Sequence, residues 1–151
     1  MKRKDKLIWY KDEFEDISRE IKESDSLSYY YFLRIRNFKL QNSTPESEEH
    51  IQELTKKAFV LAKEDKIKEA INQLIELEGV AIPIASTILA MKYPDKFAII
   101  DSRVIKKLGR PEWLKGYLNK PEIYENYLKV LRSMAKEKNM LLRELERSLF
   151  E

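Results

Sequence analysis

The sequence has no cysteine and a single histidine. Without thiols there is no disulfide, no cysteine nucleophile, no zinc–thiolate site and no iron–sulfur cluster. One imidazole, His50, cannot build a multi-histidine metal centre; set among Glu48, Glu49 and Gln52, it is expected to face solvent. Glycine and proline are also scarce, at three and five residues. That scarcity argues against a turn-rich β sandwich and for helices joined by short loops. No apolar run approaches the ~18 residues of a membrane span. The basic opening, Met1 to Lys6, has no apolar signal-peptide core behind it. A cytoplasmic protein with no membrane partner is the expectation.

What is present points to a helical domain. The 151 residues suit one domain, and 43% of them are hydrophobic, enough for a core. Lys, Glu, Leu and Ile dominate, and all but Ile are strong helix formers. A compact all-α domain over 1–151 is predicted, with a flexible basic arm at 1–6. The net charge is only +3, but it is unevenly spread. From Lys92 to Lys120 there are eight Lys or Arg against three Asp or Glu, a local +5 that leaves −2 for the rest.

Apolar spacing places the elements. Leu7, Tyr10, Phe14, Ile17 and Ile21 predict an amphipathic helix from Lys6 to about Glu23. Ser24-Asp25-Ser26 breaks it and can cap the next, a buried helix over Leu27–Leu40. Thr44-Pro45 reads as an N-cap with proline in the first turn of a helix through Ile51, Leu54, Ala58 and Leu61. A short helix follows on Ile67, Ala70, Ile71, Leu74 and Ile75, and another begins near Pro83 and runs to Met91. Phe97–Ile100 is a short extended apolar stretch. Asp101 stands where an N-cap would, and Gly109 where a helix terminates. Pro121 to about Lys138 and Leu142 to Leu149 complete the set.

The stretch from Leu74 to Ser86 carries the most information. Two short helices meet at a tight turn with Gly79 at its first corner, Ala81 at its second and apolar Val80 between, able to plug into the core. Such a helix–hairpin–helix element, at about 67–91, leaves backbone N–H groups pointing outward at the positive end of a helix dipole. That is a ready seat for a phosphate oxygen. Contacts of this kind hold a nucleic-acid backbone without reading its sequence. The same arrangement also describes an ordinary corner between two helices that binds nothing.

The longer string Leu77-Glu78-Gly79-Val80-Ala81, Ala85-Ser86 and Ile99-Ile100-Asp101-Ser102-Arg103-Val104 resembles the signature of the helix–hairpin–helix DNA glycosylase superfamily. Its members show a Leu-Pro-Gly-Val-Gly hairpin, an Ala in the second helix, then an apolar stretch ending in an essential Asp that caps another helix. Pro83, Pro94, Asp95, Phe97, Leu108 and Gly109 extend the likeness towards a small prokaryotic branch of that superfamily, over roughly Leu74 to Gly109. Three departures stand out. Ala81 replaces the second hairpin glycine. Pro83 occupies the place of the nucleophilic lysine of lyase-type members, so Schiff-base chemistry is ruled out there. The chain is also shorter than a typical two-lobed glycosylase.

The resemblance implies a glycosylase-like fold, double-stranded DNA as partner and a role in DNA repair. Gly79, Val80, Ala81, Ile82 and Ser86 would meet the backbone, with Arg103, Lys106 and Lys107, and Arg110 beyond them, on flanking phosphates. Asp101 would be the catalytic carboxylate of a monofunctional glycosylase, a hydrolase of base excision repair acting on a base flipped from the stack. No organic cofactor is implied; a K⁺ or Na⁺ ion at the hairpin carbonyls is. The residues themselves leave two other readings open: a non-enzymatic DNA-binding module, and a helical protein–protein adaptor. The aromatic run from Tyr29 to Phe32, with Trp113 and Tyr117, would wall a base pocket or simply fill the core; core is expected for Tyr30 and Phe32.

Overall fold

The computed structural model describes the backbone of residues 3–10 and all atoms of 11–38 and 47–150. Its helices are α1 (Arg3–Ile21), α2 (Tyr29–Phe38), α3 (Glu48–Lys63), α4 (Ile67–Ile75), α5 (Ile82–Lys92), α6 (Ser102–Lys107), α7 (Pro121–Glu137) and α8 (Leu142–Phe150), with one 3₁₀ turn at Pro111–Leu114. Among the described residues there is no strand, and no helix is long and apolar enough to cross a membrane. The all-α expectation holds.

The centre is α5. It is apolar on every side, Ile82 and Ile84 to Lys92 all being buried, and a helix of that composition belongs in an interior. Helices α1, α2, α3 and α4 pack around it. Amphipathic α4 and α7 lean on each other, burying Ile67, Ala70, Ile71 and Leu74 from one and Tyr124, Tyr127, Leu128 and Leu131 from the other.

At the end of α5 the Lys92 ammonium donates to the carbonyls of Ile21 (2.9 Å), Lys22 (2.8 Å) and Ser24. These carbonyls lie at the C-terminal end of α1 and just past it, where a cation is favoured. The Lys92 ammonium also lies 5.2 Å from the Phe59 ring centroid.

Some boundaries and burials differ from the sequence reading. Helix α1 already runs from Arg3, so the segment read as an arm is helical where it is described. Helix α2 starts at Tyr29, and the hydroxyl that accepts an amide of its first turn, from Tyr31, belongs to Ser28 rather than to the Ser24–Ser26 group. Thr44-Pro45 lies outside the described residues; Ser47 caps α3, its hydroxyl accepting the His50 N–H at 3.3 Å. Phe32 is core, but Tyr30 is 60% exposed. In a run of three tyrosines on one short helix, spacing alone does not say which faces inward.

Candidate nucleic-acid interface

The turn between α4 and α5 is wound by local bonds. The Leu77 N–H donates to the Leu74 carbonyl and the Val80 N–H to that of Leu77, both at 3.1 Å. Gly79 sits exposed at φ +77°, the left-handed region where a side chain is costly. Leu77 and Val80 point inward, at 2% and 6% exposure, so the apolar plug expected at Val80 is in place. Ala81 is extended at φ −95°, ψ 174°. A glycine is therefore not required at that corner, and the departure from the Gly-Val-Gly pattern carries no backbone strain.

Fewer amides stand open at the corner than the sequence suggests. The first amide of α5, on Ile82, donates to the Leu118 carbonyl at 2.9 Å, and its side chain is fully buried. Pro83 has no N–H to offer. Ser86 is fully buried; its hydroxyl donates to the Pro83 carbonyl at 2.9 Å and accepts the Ile100 N–H at 3.1 Å. Ile82 and Ser86 are thus internal fasteners, while Gly79 and half-buried Ala81 stay at the surface. Exposed Glu76 and Glu78 flank them with negative charge.

Phe97 to Ile100 is extended and buried, with no strand beside it. Its polar backbone needs partners all the same; the Phe97 N–H donates to the Tyr93 carbonyl at 3.0 Å, and the further partners come from distant side chains. The Ile99 N–H donates to Glu146 Oε2 at 2.6 Å. The Tyr124 and Tyr127 hydroxyls donate to the carbonyls of Ala98 (2.8 Å) and Ile99 (2.9 Å), and Arg132 Nε to that of Lys96 (2.8 Å). Glu146 is 1% exposed and paired with Arg143, whose guanidinium lies 3.6 Å from the Phe14 ring centroid. Burial first, and the Glu146 carboxylate second, hold both phenols protonated far above their usual 10.0. In sequence these tyrosines read only as apolar residues of a helix face, and nothing there singles out Glu146.

This cradle delivers Asp101. Its backbone is extended (φ −144°, ψ 137°) and its carboxylate caps α6, accepting the Arg103 N–H at 2.8 Å. The Arg103 guanidinium bends back to it, with Nε at 3.2 Å from Oδ1 and Nη2 at 3.3 Å from Oδ2. The carboxylate side chain is 12% exposed and the arginine 70%.

Arg103, Lys106, Lys107 and Arg110 are all exposed, yet not equally available. Lys107 donates to the Leu149 carbonyl near the end of α8, a cation at a helix C-terminus. Arg110 lies over the Trp113 ring at 5.3 Å. Trp113, 9% exposed, packs edge-on to Tyr127 at 6.3 Å and belongs to the core rather than to a pocket wall. No family model, curated protein or solved structure matches this chain.

Two hydrogen bonds from the first turns of α5 bring the candidate residues together. Ile82 reaches the loop at 115–119 and Ser86 reaches the stretch that ends at Asp101. The loop that carries Leu118 and the residue before Asp101 are therefore both fastened to the first two turns of one buried helix. At the hairpin, where a K⁺ or Na⁺ ion was expected on the carbonyls, the Leu77 carbonyl already accepts the Val80 N–H. No group of three or more acidic or histidine side chains suited to a metal occurs among the described residues.

Proposed function

We propose that this chain is a DNA-binding protein of the helix–hairpin–helix glycosylase type, holding duplex DNA by its backbone without sequence preference. What supports the reading is the pair of bonds at Ile82 and Ser86, which ties the first turns of α5, just after the exposed glycine corner, to Leu118 and to the residue before the N-cap carboxylate Asp101. Amides at the corner would take one phosphate; Arg103, Lys106 and Arg110 would take its neighbours.

In the catalytic form of this reading Asp101 faces the sugar of a flipped nucleotide. The glycosidic C–N bond breaks, the base leaves with the bonding pair and is protonated, and water adds its oxygen to the sugar carbon while giving up a proton. A carboxylate there balances the positive charge of the sugar or accepts that proton. With Pro83 where a lysine nucleophile would stand, no covalent enzyme–sugar adduct forms at that position. Arg103 matters, because its pairing offsets the Asp101 charge; a phosphate that draws the exposed guanidinium away would release the carboxylate. The same pair favours a second reading, a DNA-binding module with Asp101 as a cap only.

Labelled duplexes of unrelated sequence are expected to bind with similar affinity, and log K to fall linearly with log salt. No binding at low salt overturns the proposal and leaves a protein–protein adaptor. On DNA carrying assorted damaged bases, Asp101→Asn is expected to bind normally and release no base, since Asn caps a helix as well as Asp. A wild type that releases none selects the module.

A further inference from the structure

Two of the cations ascribed to the DNA face, Arg103 and Lys107, are held by one helix end. Lys107 Nζ donates to the Leu149 carbonyl at 2.5 Å, and the Arg103 guanidinium lies 5.6 Å from the Phe150 ring centroid. Leu149 and Phe150 close α8, while Arg103 and Lys107 stand four residues apart on α6. Residues so spaced are neighbours on a helix face, so the last turn of α8 engages one face of α6. The same guanidinium is bonded to the Asp101 carboxylate. Ring, guanidinium and carboxylate thus form one chain of contacts. A lysine at a helix C-terminus is ordinary by itself; here the same turn also holds the arginine that covers Asp101.

The holder is firm and what it holds is not. Within α8, Leu145 and Glu146 are buried, Arg143 pairs with Glu146, and Arg147 reaches Glu15 of α1 at 3.0 Å. The Arg103 side chain, by contrast, is 70% exposed, and Lys107 is exposed as well. A ring face and a carbonyl dipole hold exposed cations weakly. A phosphate carries full charge and accepts two guanidinium bonds at once. It can displace both contacts. A helix end that occupies a ligand's cations competes with that ligand, and the fraction of molecules so closed lowers the apparent affinity.

We propose that the last turn of α8 is an autoinhibitory latch, which withholds Arg103 and Lys107 from DNA and keeps Arg103 on Asp101 until phosphates displace it. The inference rests on the DNA-binding reading above, and its test separates the two. Affinity for one labelled duplex is measured by anisotropy for the wild type, Phe150→Leu, Arg103→Ala and the double variant. Phe150→Leu keeps apolar bulk on α8 and removes the ring face. It is expected to bind about two- to fivefold more tightly than wild type, the worth of an exposed cation–π contact. A residue that only supported the fold would not raise affinity when replaced. In the Arg103→Ala background the same change is expected to have no effect, because the ring has lost its cation. A Phe150→Leu protein that binds no better than wild type, or a gain that persists without Arg103, overturns the latch and leaves DNA binding standing. Absence of binding by all four proteins at low salt overturns both.

Discussion

The corner at 76–81 and the extended stretch at 97–100 are both short breaks between helices, and they are held in opposite ways. The corner is wound mainly by bonds between residues three apart, and its glycine faces water. The stretch is buried and hangs on side chains from α5, α7 and α8, among them Ser86, Tyr124, Tyr127 and Glu146. A locally closed turn is free to present its outer face to a partner. A segment satisfied from three helices at once is fixed in position, and with it Asp101 at its end.

The contrast predicts effects of different size. Glu146→Ala leaves the Arg143 cation without its partner and the Ile99 amide without an acceptor, both in the interior. Breaking a buried pair from one side costs about 3–5 kcal/mol, and urea unfolding is expected to show a loss of that order. A loss under ~1 kcal/mol would mean that the stretch is not anchored as described.

The tyrosine anchors give a pH signature. Their folded pKa values lie well above the unfolded 10.0, so the folded state keeps protons that the unfolded state gives up. Their contribution is complete below pH 10 and is lost as pH climbs past it, by up to ~1.4 kcal/mol per pH unit for each phenol. The double variant Tyr124→Phe, Tyr127→Phe should flatten this alkaline decline relative to wild type. An unchanged slope would contradict the burial of the two hydroxyls.

Gly79→Ala probes the other region and should matter least for stability. A Cβ in the left-handed region costs about 1–2 kcal/mol, and nothing beyond the corner depends on it. If Gly79→Ala proved as damaging as Glu146→Ala in the same urea titration, the distinction between the two breaks would fail.

The same contrast explains what the sequence could convey. Periodicity marked the buried faces of α4 and α7, and residue type marked Val80 as a plug, Asp101 as a cap and Gly109, at φ +69°, as a helix terminator. All of these depend on neighbours within a turn or so. Ser86 is different: as a serine near a hairpin it reads as a phosphate contact, and only the packing of Ile100 against α5 turns its hydroxyl inward. Glu146 reads as one more charge on a solvated helix until Ile99 is found beside it, 47 positions earlier. The Ile82 amide was likewise hidden, because its acceptor is 36 residues away on a loop that has no apolar pattern of its own.

Lys92 carries a consequence for the molecule as a whole. Its ammonium donates to the last carbonyl of α1 and to two of the residues after it, so one side chain pins the end of the first helix to the central one on top of their apolar packing. Amine-reactive reagents should reach this lysine after the surface ones, and a version of the protein trimmed of its first helix would strand a charge in the interior. The N-terminal helix is therefore part of the domain's foundation, and any fragment meant to isolate the hairpin must keep it.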